Sequence, residues 1–226
     1  MPGLLITFEG IDGCGKGTQI ELLVEAIQRE GWGDRVVLTK QPGGTALGNV
    51  IRDILFKTIT THKLEPDAAS LLFFASHVQA LAEIVYPALK AGKIVIADRW
   101  CAYSDVAFGL HGLARPIHQS LVDFRRALGG PEPDLLFFMH GDPQTLLERA
   151  TGRTTESHES GKRWAKVDTI TRIQEEYFRI FDGMMDTKVP SPLRAVRADH
   201  RTAPMIFGQE VWPAVFATVR RHFDLD

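Results

Sequence analysis

Two cysteines in 226 residues are too few for a disulfide framework, and one of them, Cys14, lies inside a glycine-rich loop where a bridge would obstruct the backbone. A reducing compartment, the cytoplasm, is therefore expected. No stretch of about eighteen consecutive apolar residues occurs, and residues 1–8 lack a basic region followed by a long apolar run. Neither a membrane span nor a secretory leader is expected. Charge of one sign is also missing: 26 basic against 28 acidic side chains leave a net charge of -2, so no global positive field exists to hold a nucleic-acid backbone. Any phosphate bound here has to be met by local groups. No internal repeat, low-complexity tract or interdomain linker interrupts the chain. With 44% hydrophobic residues it can bury one core, and a single domain over residues 1–226 is expected.

Short apolar runs are present, and they alternate with helical patterns. Leu4 to Phe8 is apolar and ends in a glycine loop, after which Ile20, Leu23, Val24 and Ile27 recur at helical spacing from Gln19 to Arg29. Similar runs follow at residues 35–39, 93–97 and 134–139, separated by turn signals at Gly31, Gly92 and Gly129-Gly130. Nearly continuous apolar strands divided by helices imply an α/β fold with a parallel sheet covered on both faces. Residues 67–90, 117–128, 143–150 and 167–181 read as helices, and Val189-Pro190-Ser191-Pro192 as a turn before a final edge strand and a C-terminal helix. Residues 152–162, GRTTESHESGK, hold almost no apolar side chain and read as a mobile flap, with a lid segment expected at about 152–163.

The strongest signal is Gly10-Ile11-Asp12-Gly13-Cys14-Gly15-Lys16, which follows one expected strand and opens one expected helix. In that context inward-turned backbone amides and the helix N-terminus cradle phosphates, and Lys16 adds a point charge. The chain is thus expected to bind a purine nucleoside triphosphate, ATP with Mg²⁺. The general motif has Ser or Thr directly after the lysine to reach Mg²⁺; here Gly17 intervenes and Thr18 carries the hydroxyl, a Gly-Thr pair that resembles adenylate kinases. Asp98-Arg99 stands at the carboxyl end of an apolar run, where open α/β sheets bind ligands. An aspartate there can orient metal-bound water, and an arginine can grip a phosphate with two parallel hydrogen bonds.

Several motifs in order then resemble one family. Phe8-Glu9-Gly10-Ile11-Asp12-Gly13, Pro42-Gly43-Gly44-Thr45 with Ile51-Arg52, Leu71-Leu72-Phe73, Asp98-Arg99, Ser104-Asp105, Pro133-Asp134-Leu135 and Arg149-Ala150-Thr151-Gly152-Arg153 look like the ordered motifs of bacterial thymidylate kinases over residues 4–180. The resemblance implies a P-loop NTPase-type sheet flanked by helices, closed by a lid, and transfer of the ATP γ-phosphoryl group to dTMP. It implies that Gly10, Gly13, Cys14, Gly15, Lys16, Gly17, Thr18 and Arg149 bind ATP, and that Thr18 and Asp98 attend the metal. On the acceptor side it implies Arg52 and Arg99 on the phosphate, Asp12 on the sugar 3′-hydroxyl, Glu9 close by, and Ser104, Phe73 and His77 around the nucleoside. Lys16, Arg99 and a lid arginine would act in catalysis, Arg153 being the first choice over Arg149 and Arg163. It also implies a homodimer, for which the apolar helix around Leu71 to Leu81 offers a face; the balanced charge and short apolar runs lead us to expect no nucleic-acid or membrane partner.

The resemblance has gaps. His77 stands where the family usually has an arginine that reaches the base, Lys40-Gln41 replaces Arg-Glu, Gly109 replaces a glutamine, and one residue is added between Arg99 and Ser104. Phe73 is open to two readings, base-stacking ring or core residue, and His77 to base contact or simple packing. A kinase for another deoxynucleoside monophosphate and a non-catalytic nucleotide sensor are the alternatives.

Overall fold

The computed structural model describes residues 2–56, 64–100, 123, 130–152, 166–185 and 193–224. Its centre is a five-stranded, wholly parallel sheet: β1 (Leu4–Glu9), β2 (Val36–Lys40), β3 (Ile94–Asp98), β4 (Leu135–His140) and β5 (Leu193–Arg197), in spatial order β2-β3-β1-β4-β5. β1 is buried along its whole length, as is β3 up to Ala97 and β4 up to Met139. Strands covered on both faces have no polar side to alternate with, which is why their sequences read as nearly continuous apolar runs. The edges differ: Leu38 of β2 is 52% exposed, and β5 turns Arg194 and Arg197 outward. Charge on an edge strand discourages pairing with another sheet.

Helices cover both faces. α1 (Lys16–Arg29) buries Lys16, Gln19, Leu23, Ala26 and Ile27, one face at helical spacing. α2 (Ala46–Phe56) and α3 (Pro66–Ala80) pack together through Ile51, Leu55 and Ala69, with Phe56, Leu72 and Phe73 alongside. α3 continues through a π-turn, Leu81–Val85, into α4 (Tyr86–Lys90). By length and composition Ala68–Lys90 is apolar enough to cross a membrane, with a mean hydropathy of 1.5. Phe74, Ala80, Leu81, Val85 and Ala88 are buried within the protein, however, and a core helix reaches the same composition. α5 (Pro143–Thr151) starts at Asp142, whose side chain accepts from Thr145 N at 2.8 Å. α6 (Val167–Met185) follows, then α7 (Ala203–Ile206), a second π-turn and α8 (Trp212–Phe223).

All five strands point the same way, so every strand-to-loop junction lies at one end of the sheet. The register sets Asp98 beside both Phe8 and Lys40, and Glu9 beside Phe138. Connections leave β1 toward β2 and β3 on one side and reach β4 and β5 on the other, which opens a crevice at β1. The expected helix at 117–128, the turn at 189–192 and the flap at 152–163 fall mostly or wholly outside the described residues.

Candidate active site

β1 delivers the chain straight into the glycine loop. Gly10 has φ 130°, and a Cβ placed on it would stand 2.2 Å from the Met139 carbonyl; Gly13 has φ 85°, and its Cβ would stand 2.3 Å from the Leu146 carbonyl. The loop is thus clamped between β4 and α5, at positions where only glycine fits. Gly10→Ala adds left-handed strain to an overlap with backbone, and is expected to destabilise the fold by about 3 kcal/mol. A urea unfolding midpoint unchanged from wild type would contradict this account of the loop.

Lys16 opens α1 and is only 6% exposed. Its Nζ donates to the Gly10 and Ile11 carbonyls, each at 3.0 Å, and lies 3.8 Å from Cys14 Sγ, which is itself fully buried. Gly17 is exposed and Thr18 partly so, on the first turn of the same helix.

Arg99 reaches the same loop from β3. Its backbone is left-handed, φ 73°, which costs a non-glycine residue about 1–2 kcal/mol. Its N–H donates to Phe8 O at 2.9 Å, extending the β1–β3 ladder by one residue. The guanidinium then donates through Nη1 to Gly10 O at 2.5 Å and through Nη2 to Asp12 Oδ1 at 2.7 Å. One carbonyl oxygen, that of Gly10, therefore receives both Lys16 and Arg99.

The electrostatics follow from this crowding. Burial alone would raise the Asp12 carboxyl, but the Arg99 and Lys16 charges outweigh it and hold the group below the usual carboxylate range. Asp12 is ionised at neutral pH. Burial opposes the charge on Arg99 too, and the carboxylates around it, Asp12 first and then Asp98 and Glu9, more than restore it. Arg52 on α2 donates to Pro42 O at 3.0 Å and lies over the Phe56 ring at 4.9 Å. Its affinity for a proton is lowered by burial and by the Arg99 charge, against Asp98 and Asp12, so these four charged groups form one cluster.

The loop after β2 supplies the far wall. Gln41-Pro42 is a cis peptide, Gly43 N donates to Ser76 Oγ at 3.0 Å, and Thr45 Oγ1 caps α2 by accepting from Gly48 N at 2.9 Å. Gln41 and His77, both buried, meet at 2.7 Å between Gln41 Nε2 and His77 Nδ1. The His77 ring stands edge-on to Trp100 at 4.8 Å. Phe73, one turn earlier on α3, is half-buried and edge-on to Phe56 at 6.3 Å, so it serves the α2–α3 contact whatever else it touches.

Glu9 is fully buried; its carboxylate accepts from Trp100 N and, at 2.7 Å, from the Tyr177 hydroxyl. Asp98 sits at the end of β3, and its Oδ1 is buried with no hydrogen-bond partner among the described residues. On the other side of the glycine loop, Arg149 of α5 donates to Ala198 O at 2.7 Å and Asp199 O at 3.3 Å. It bridges the loop after β5 to the helix that packs on Gly13.

Lys16, Asp12, Arg52, Arg99 and Asp98 are brought together, with Glu9, Thr18 and His77 next to them and Arg149 on the opposite flank. Ser104, Arg153 and Arg163 lie outside the described residues. Two residues that local pattern does not mark also belong to the setting. Tyr177 reaches Glu9 from 168 positions away. Asp199 accepts from Arg197 Nε at 2.9 Å and Asp142 N at 2.9 Å, and these bonds drive its carboxyl far below the ordinary value although burial opposes them.

A thymidylate kinase family model matches residues 8–196, most of the chain. The chain belongs to the thymidylate kinase family. Thymidylate kinase of Trichlorobacter lovleyi is 34% identical over 216 residues, 95% of this chain and 97% of the relative. That of Methylococcus capsulatus is 36% identical over 206 residues, 89% of this chain and 90% of its own. The crystal structure of thymidylate kinase from Ehrlichia chaffeensis superposes with a TM-score of 0.70 at 26% identity, covering 95% of this chain and all of that one. The parallel sheet flanked by helices is thus the fold of a thymidylate kinase.

Proposed function

We propose that the chain transfers the γ-phosphoryl group of ATP to dTMP, giving dTDP. The observation that carries this reading is the Gly10 carbonyl shared by Lys16 at 3.0 Å and Arg99 at 2.5 Å. A cation from the triphosphate loop and a cation from the end of β3 converge on one point, which is where charge must be met when a phosphoryl group passes between two anions. Lys16 takes the donor phosphates, with the loop amides of Gly13, Cys14, Gly15 and Gly17. Arg99 and Arg52 hold the acceptor phosphate. Asp12, ionised and tied to Arg99, accepts from the sugar 3′-hydroxyl. The acceptor is already an anion, so no general base is needed, and positioning plus electrostatics perform the reaction.

Mg²⁺ fits the oxygens present. Asp98 Oδ1 is a buried acceptor with no partner among the described residues, and Thr18 offers a hydroxyl beside the loop. Few protein ligands suit an ion that stays largely with phosphates and water. Bound there, it would neutralise charge on the phosphates. Arg153 is assigned the lid contact to the transferred group, and Arg149 the ATP flank. His77, fixed by Gln41, and Phe73 border the base, with Ser104 on the sugar side.

The chain works in the cytoplasm as a homodimer. Of the apolar run from Leu71 to Leu81, Phe74, Ala80 and Leu81 turn inward, whereas Leu71 is 54% exposed; Leu47, Val50 and Ile54 of α2 are exposed as well. Those four side chains are the proposed face between copies.

The test is ADP release with ATP, Mg²⁺ and one of dTMP, dUMP, dCMP, dGMP, dAMP or thymidine. dTMP is expected to turn over at least about tenfold faster than any other acceptor, with little hydrolysis in its absence because the reaction is shielded from water. Preference for another nucleotide would reassign the Gln41–His77 pocket, and no turnover with any acceptor would leave a nucleotide sensor.

A further inference from the structure

Arg99 holds a strained backbone in the middle of the site, and something must keep it there. Its own N–H is anchored to Phe8 O at 2.9 Å, and the next N–H, that of Trp100, is anchored to the Glu9 carboxylate. Two consecutive residues of β1 thus pin the two sides of one left-handed residue. The first anchor is backbone and fixed by the sheet. The second is a side chain with three rotatable bonds, and its placement needs a cause of its own.

That cause is visible on α6. Glu9, Trp100 and Tyr177 are each fully buried, and the Tyr177 hydroxyl donates to Glu9 Oε2 at 2.7 Å while Oε1 accepts from Trp100 N. A carboxylate taken out of water is kept only where hydrogen bonds replace its hydration. The Tyr177 ring packs on Phe138 at 5.0 Å and Phe181 at 5.8 Å, so the position of the hydroxyl is set by the core.

We propose that Tyr177 and Glu9 are positioning residues for Arg99: the hydroxyl fixes the carboxylate, the carboxylate fixes the Trp100 peptide, and that peptide holds the turn aiming the guanidinium at the acceptor phosphate. Neither residue needs to touch substrate. The inference rests on the assignment of Arg99 to the acceptor phosphate and adds a residue on α6 to that assignment.

Tyr177→Phe removes the hydroxyl and keeps the ring packing. By calorimetry its affinity for dTMP is expected to fall about tenfold, the effect of losing one hydrogen bond to a charged group, with ATP affinity unchanged. In an Arg99→Ala background the same substitution is expected to change dTMP affinity by less than about twofold, because the residue it positions is gone. Glu9→Gln, which still offers an oxygen to Trp100 N, is expected to bind dTMP more tightly than Glu9→Ala. Unchanged dTMP affinity in Tyr177→Phe, an equal loss in both backgrounds, or a parallel loss of ATP affinity would each overturn the proposal. Should Glu9→Ala fail to fold, the Tyr177 and Arg99 pair of variants still decides it. Wild-type protein that binds ATP but no dTMP would instead remove the acceptor assignment itself.

Discussion

Lys16→Met is expected to lower dTDP formation by about a thousandfold or more while leaving the protein folded. The ammonium sits at the mouth of the glycine loop, 6% exposed, on two carbonyls at 3.0 Å. Those carbonyls are weaker acceptors than ionised phosphate oxygens, so a triphosphate can draw the charge onto itself. Methionine fills the space of the lysine stem and supplies no charge, which separates electrostatics from packing. The loss should fall mainly on kcat, since the loop amides and the helix N-terminus still bind ATP. Retained turnover within about tenfold of wild type would show that Lys16 is not the group that meets the developing charge.

Arg99→Ala is the second large effect, and it should divide differently. The guanidinium touches Gly10 O and Asp12 together, within the cluster that includes Arg52 and Asp98. Its removal is expected to reduce kcat/KM for dTMP by about a thousandfold with the KM for ATP little changed. Arg99→Lys should recover only part, because a point charge cannot make both contacts of a planar fork. The loss also reaches Asp12. Its carboxyl lies below the ordinary value mainly because Arg99 and Lys16 outweigh burial, so without Arg99 it rises. A depressed carboxyl contributes stability that is present above its unfolded pKa and disappears as pH falls through the folded one. Wild-type protein should therefore hold its stability further into acid than Arg99→Ala, which denaturation midpoints between about pH 3 and pH 5 will measure.

Much of this arrangement is legible in the sequence, for reasons that can be named. β1, β3 and β4 are covered on both faces, so their residues are apolar with Thr7 the one polar exception before the last position, and each ends in a residue that breaks the run: Glu9, Asp98, His140. The glycine loop is a local pattern whose meaning depends only on the strand before it and the helix after it. The strand bounds move by one residue; β2, for instance, begins at Val36 because Gly33–Arg35 forms a 3₁₀ turn. Contacts between distant positions are another matter. Gln41 and His77 read as two separate departures from the family pattern, yet they are one hydrogen-bonded pair. Neither residue signals the other, because one lies in the loop after β2 and the other on α3, 36 positions apart, and only packing brings them together. The left-handed Arg99 is equally silent, since nothing marks an arginine as the residue that will bear positive φ. Tyr177 looks like one more core aromatic on α6, and only its hydroxyl distinguishes it.

The shared Gly10 carbonyl has a consequence for the order in which ligands help one another. When a triphosphate attracts the Lys16 ammonium, one of two donors leaves that oxygen and the other, Arg99, has it alone. With Lys16 and Arg99 on the two substrates as proposed, a single peptide would couple the two halves of the crevice, and thermodynamic linkage makes such coupling reciprocal: by whatever factor ATP alters the affinity for dTMP, dTMP alters the affinity for ATP. Under the proposed assignment, the two substrates would communicate through an atom that neither of them has to touch.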